Sequence, residues 1–262
     1  MESKTLLAAI AVAFAFAARA ADPACSTYSG PHTTALVELY TSEGCDSCPA
    51  ADHWLSSLFG QGFRPDQVVP LALHVDYWDY IGWKDPFAKG EFSVRQRRLA
   101  QMKRPVIVYT PQVLLQGRDF RRWSGGEFAE QVTRINSRLA RARIALTIRA
   151  VAPEAIHAEL SAMLIDPAER KSAALYLAAY ENKLASNVAA GENRGKRLEH
   201  DFVVREWIGP IGFGEGLKLK QKRSLPLLPG ANPKNLGVAA FVQNRSTSEV
   251  LQALMLPACP GS

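Results

Sequence analysis

The sequence is poor in cysteine and lacks the motifs of the common cofactor-dependent classes. It holds four cysteines in 262 residues. No phosphate-cradling glycine loop, serine-nucleophile elbow or dinucleotide fingerprint occurs, so nothing points to nucleotide chemistry or a serine hydrolase. No second C-x-x-C and no paired-histidine motif is present, and a closed zinc site wants four ligands; no metal and no cofactor is expected. The charge of +6 is modest and scattered. It forms no basic stripe interleaved with aromatics, and nucleic acid is not an expected partner. Internal repeats and low-complexity segments are also missing.

What is present begins with an export signal. Lys4 precedes the uncharged run from Leu6 to Ala18, and Ala18-Arg19-Ala20 offers the small residues of a cleavage site. The run falls short of the roughly 20 apolar residues of a membrane span. Cleavage is expected after Ala20, giving a secreted or periplasmic chain with no membrane segment. The hydrophobic fraction of 47% is enough for a substantial core.

Two halves are legible. In the first, Ala35 to Tyr40 reads as a buried strand, and a helix carrying Trp54, Leu55, Leu58 and Phe59 follows Cys48. Val68 to Tyr77 is near-continuously apolar, as a strand covered on both faces would be. A helix over about 87–102, the strand Gln112 to Leu115 and a helix with Phe128, Val132, Ile135 and Leu139 on one face complete an α/β layer with a mixed sheet. Beyond Arg143 the pattern turns to strands: Ile144 to Ala150, Ala155 to Leu160, Ala173 to Tyr180, Phe202 to Trp207, Val238 to Gln243 and Val250 to Leu256. The expected organisation is a signal peptide over 1–20, an α/β domain over 33–143 and a smaller β-rich, sandwich-like domain over 144–260.

Four cysteines allow three pairings. Cys45-Asp46-Ser47-Cys48 has the spacing of a redox pair at a strand-to-helix junction, which leaves Cys25 and Cys259 near the two mature ends. A structural Cys25–Cys259 disulfide is expected, with free or intermolecular thiols as the alternative. Closing so long a loop contributes about 4–5 kcal/mol in the chain-entropy picture.

The chain resembles the exported thioredoxin-like family catalogued as domain of unknown function 1223. The residues that carry this are Val37 to Asp52, His74 to Asp79, Gly82 to Phe87, Tyr109-Thr110-Pro111-Gln112, Gly191 to Gly195 and His200 to Arg205. The resemblance implies a thioredoxin-like fold. Thr110-Pro111 looks like the cis-proline segment, which in that fold packs against the cysteine pair and offers backbone to a bound polypeptide. Thioredoxins also bury an acid on the strand before the pair; Glu38 lies near the matching place and is the candidate proton shuttle for Cys48. Gly44 stands where reductases of this kind carry an aromatic residue, and is expected to open the surface.

The function expected from these readings is disulfide exchange with polypeptide thiols or disulfides. Cys45, at the helix start, is the attacking thiolate and Cys48 the resolving thiol. Tyr77, Trp78 and Trp83 follow the second strand and are expected to form a substrate wall with Thr110. His74 is expected to be a satisfied core residue, and His200 has no partner at a telling spacing. Two rivals remain: a non-enzymatic binding module with a structural Cys45–Cys48 disulfide, and a copper carrier using the same cysteines with His53 or His74. Exchange predicts an exposed Cys45, and the binding module a buried disulfide. Oligomeric state is not fixed by the sequence.

Overall fold

The computed structural model describes residues 24–102, 106–152, 155–227 and 229–258. The expected signal peptide and Cys259, hence the expected Cys25–Cys259 bridge, lie outside the described residues.

The first half runs β1 (Cys25–Tyr28), β2 (Ala35–Thr41), α1 (Cys48–Ser57), β3 (Val68–His74), α2 (Gly90–Gln101), β4 (Gln112–Leu115), β5 (Arg118–Asp119) and α3 (Glu127–Asn136). The second adds β6 (Ala142–Ala152), β7 (Ala155–Leu164), β8 (Ala173–Glu181), β9 (Leu184–Asn187), β10 (Arg197–His200), β11 (Val203–Gly212), β12 (Lys218–Pro226), β13 (Leu236–Asn244) and β14 (Val250–Pro257). The result is a mixed α/β architecture dominated by strands, as the alternation of patterns predicts.

Two sheets carry the fold. The large one has eight strands in the order β14-β13-β8-β11-β3-β2-β4-β5, and the small one has four, β1-β6-β7-β12. β2 and β3 are parallel, β4 runs antiparallel to β2, and β11 pairs with β3 in parallel. The expected boundary at 143/144 falls inside β6 of the small sheet, but the large sheet takes strands from both sides of it. Residue 203 is thus paired with residue 72, and the two halves share one sheet. The sandwich character comes from the small sheet lying against β8 and β13: Ile144, Leu146, Ile148 and Leu160 share a buried cluster with Leu175, Leu177, Val238 and Ala240.

Local causes are plain for the elements that place the site. α1 carries Pro49 as its second residue, where the missing N–H is no loss in a first turn. It buries Ala51, Trp54 and Leu55 toward the sheet, and Trp54 packs edge-on against Phe128 of α3 at 5.0 Å. Every residue of β2 and β3 is buried, in keeping with strands covered on both faces. β12 escaped the sequence reading because its nine residues KLKQKRSLP alternate with few apolar members. As an edge strand it carries lysines that discourage pairing with other chains.

Candidate functional site

The cysteine pair sits where β2 gives way to α1. After Thr41 the chain turns through Ser42-Glu43-Gly44, the Cys45 N–H donating to the Ser42 carbonyl at 3.2 Å. Cys45 and Cys48 are joined as a disulfide with a Cα–Cα distance of 5.4 Å. The Ser47 hydroxyl, at the N-cap position, makes no capping bond and lies 3.4 Å from Cys45 Sγ. No acidic residue occupies the first turn of α1, so nothing on the helix itself offsets its positive end.

Cys45 is not exposed. It is 1% and Cys48 0% accessible. Gly44 does not open the surface either: a side-chain carbon there would lie 3.1 Å from Trp78 Cβ and 3.2 Å from Ile81 Cδ1, which already fill the space. A loop from the second half completes the cover. The Asn193 amide donates to the carbonyls of Glu43 and Cys45, each at 2.8 Å, and Glu192 Oε2 accepts from the Asp46 N–H at 2.9 Å. Gly191 has φ of +74°, and a Cβ there would come within 2.9 Å of Ile81, so glycine is what lets the loop approach.

The other sequence candidates divide. Thr110-Pro111 has a cis peptide bond and lies one step beyond the Tyr40–Gln112 pair that ends the β2–β4 register. Trp78 links this segment to the cysteine turn, its Nε1–H donating to Thr110 Oγ1 at 2.7 Å. Tyr77 instead donates its hydroxyl to Gln96 at 3.1 Å, and Trp83 donates to Glu43 Oε2 at 2.8 Å. All three aromatics are half-buried, and each is tied to a separate polar partner. His53, named with the copper reading, is exposed, and both sulfurs of that reading are bonded to each other.

Glu38 is not beneath the cysteine pair. Its carboxylate receives Arg95 Nε at 2.6 Å and Nη2 at 3.1 Å, and the Tyr40 hydroxyl at 3.3 Å. Strand side chains alternate, so Glu38 and Thr41 project to opposite faces of β2. The α1 side belongs to Thr41, whose hydroxyl donates to Asp52 Oδ2 at 3.0 Å. The buried acid on the cysteine side of the sheet is therefore Asp52, one helical turn after Cys48.

Asp52 belongs to a buried polar cluster at the C-terminal ends of the parallel strands β2 and β3, where α/β sheets place their sites. His74 Nδ1 lies 2.7 Å from Asp85 Oδ2, and His200 Nε2 lies 3.1 Å from Glu43 Oε1. Asp85 also accepts the Glu43 and Phe87 N–H groups, each at 2.9 Å. The two imidazoles meet edge to face at 4.9 Å. Burial pushes the Asp52 carboxyl above its usual range, against the pull of His200 and His74. Burial also lowers the His74 pKa, but Asp85, with Asp52 and Glu43 beside it, outweighs that and the net shift is upward. For Asp85, burial raises the pKa, but His74 and the Glu43 and Phe87 N–H groups together overcome it, so the net shift is downward. One donor atom each from Asp52, His74 and His200 lies within 4.8 Å of the others.

His74 is thus not the satisfied core residue expected, and His200 does have partners. No sequence spacing joins 52, 74, 85 and 200; only the Cys48–Asp52 interval of one helical turn was readable in advance.

A family model described as "Protein of unknown function (DUF1223)" matches residues 36–243. Two solved structures share the fold. Protein AGR_C_4864 from Agrobacterium tumefaciens is similar at 24% identity and a TM-score of 0.64, over 89% of this chain and 98% of that one. HBP35 of Porphyromonas gingivalis is similar at 16% identity and a TM-score of 0.66, over 89% of this chain and 79% of that one. Comparison with curated proteins finds no match.

Proposed function

The chain belongs to the DUF1223 family of proteins of unknown function, and from that membership and the geometry of its cysteine pair we propose that it is an exported thiol–disulfide exchange protein acting on polypeptides. The fold reading that goes with this is a thioredoxin-like unit formed by β2, α1, β3, β4 and α3. Among the described residues no helix is long and apolar enough to cross a membrane.

The observation that carries the proposal is the Ser47 hydroxyl, withheld from the helix cap and set 3.4 Å from Cys45 Sγ. In the reduced protein it donates to a Cys45 thiolate, which the start of α1 also stabilises. The Cys45 thiolate attacks a substrate disulfide; one substrate sulfur bonds to Cys45 and the other leaves as a thiolate. Cys48 then loses its proton and attacks Cys45, releasing the second substrate thiolate. Two electrons pass to the substrate and the Cys45–Cys48 disulfide forms. Reversal oxidises a dithiol. Burial of the pair means that the Glu192–Asn193 loop must move first.

One observation favours a second reading. Both cysteines are fully buried, as a structural disulfide in a binding module would be. Trapping separates the two. Cys48→Ser is incubated with a disulfide-containing peptide, and exchange predicts a one-to-one mixed disulfide through Cys45 that is lost in the Cys45→Ser, Cys48→Ser double variant. Absence of any adduct, with folding intact, decides for the structural disulfide.

A further inference from the structure

The cluster beneath the cysteine pair is unusual in which of its atoms are left over. Three acids, Glu43, Asp52 and Asp85, and two histidines, His74 and His200, are each at most 4% exposed. Among the described residues no lysine or arginine comes within ion-pair distance of these three acids; their partners are the two histidines. Buried charge is normally paired or bound to metal.

The outer atoms of the cluster are fully engaged. Glu43 accepts from His200 on one oxygen and from Trp83 on the other. Asp85 uses both oxygens, toward His74, Glu43 and Phe87. Because these carboxylates only accept, the neutral imidazoles hold their protons on His74 Nδ1 and His200 Nε2. That leaves a lone pair on His74 Nε2 and another on His200 Nδ1. Both atoms are buried and without a hydrogen-bond partner, and so is Asp52 Oδ1, whose sister oxygen takes Thr41. With both imidazoles neutral and Asp52 ionised, the state in which such groups bind metal, each of the three residues offers a free lone pair in the buried cluster.

We propose that Asp52, His74 and His200 form a buried binding site for one divalent first-row metal ion of the zinc type. Two imidazole nitrogens and a carboxylate oxygen are a donor set that zinc takes with one position open. The outer bonds match as well: a ligating histidine donates its second N–H to a carboxylate, as His74 does to Asp85 and His200 to Glu43. Tetrahedral zinc with bonds of about 2.0–2.1 Å sets its ligand atoms about 3.3–3.4 Å apart. One ligand atom from each of the three residues lies within 4.8 Å of the others, so the set closes by at most about 1.5 Å on binding. A divalent cation would also neutralise much of the unbalanced acidity. The site uses neither sulfur, so it does not depend on the exchange reading.

The test keeps the disulfide oxidised and alkylates any free thiol, so that cysteine cannot supply a ligand. Because the site is buried, the mature chain is refolded with zinc chloride, cleared of loose ion by gel filtration and assayed by elemental analysis. The wild type is expected to retain one zinc per chain. His74→Gln and His200→Gln are expected to lose at least nine-tenths of it, and the exposed control His157→Gln to lose none. Asp52→Asn keeps the shape of the site and guards against a folding defect; it is expected to lose at least nine-tenths as well. Zinc at 100 times its dissociation constant should raise the wild-type melting temperature by about 5–10 °C and leave the folded variants unmoved. Wild-type protein that refolds but keeps no zinc would overturn the proposal, as would folded variants that keep as much as the wild type.

Discussion

β2 carries a buried charged cluster on each face, and the two are built on opposite principles. On the α2 side, Arg95 is held by Glu38 and by Gln243 at 3.1 Å, and its guanidinium lies 4.8–5.3 Å from the ring centroids of Tyr176, Trp207 and Phe241. No fully buried side-chain polar atom of Glu38, Tyr40 or Arg95 is left without a partner. On the α1 side, Asp52, His74 and His200 each keep one buried atom unpartnered, directly after the turn that holds the cysteines. A complete network serves to hold α2 on the sheet. An incomplete one is what a binding site looks like before its ligand is counted, and this sheet places it on the same side as the cysteine pair.

The strongest way to break this contrast is to remove Arg95. Arg95→Ala strands a buried Glu38 and should cost about 3–5 kcal/mol in urea unfolding, with a large part recovered when Glu38→Gln is added. A small loss would mean that the complete cluster is not what holds α2. Asn193→Ala comes next. It removes two buried hydrogen bonds and should cost about 2 kcal/mol. If it loosens the cover by about 1.4 kcal/mol, dithiothreitol should reduce the Cys45–Cys48 bond about tenfold faster. An unchanged reduction rate would show that the Glu192–Asn193 loop is not the gate. Trp78→Phe, which deletes the bond to Thr110, should cost about 1 kcal/mol by thermal or urea unfolding. Asp52→Asn is the smallest and most diagnostic. In metal-free protein it should shift stability by less than about 0.5 kcal/mol in either direction, because the amide keeps an acceptor for Thr41 and removes a poorly compensated charge.

Much of the α/β half was legible because its signals are local. The Cys45–Cys48 spacing, the apolar run of β3 and the helical stripe of Phe128, Val132 and Ile135 each lie within one segment. The Glu38 assignment failed because one residue of offset reverses the face of a strand. Glu38 was placed beneath the cysteines by analogy, while period two puts it with Arg95. The cover over the cysteines was illegible for a different reason. Asn193 reaches Cys45 across 148 residues, and His200 reaches Glu43 across 157. No pattern along the chain reports such a contact. The continuation of the large sheet past residue 143 was missed likewise, since the parallel pairing of β11 with β3 joins strands far apart in sequence.

The reduction potential of the Cys45–Cys48 pair is the most direct test of the exchange function. The purified mature protein is equilibrated in glutathione and dithiothreitol redox buffers until the buried pair has reached equilibrium, and free thiols are counted by mass spectrometry. Exchange predicts a potential between about −120 and −270 mV, the range of proteins that trade disulfides. A pair that stays oxidised below about −300 mV behaves as a structural disulfide, and would contradict the proposed function.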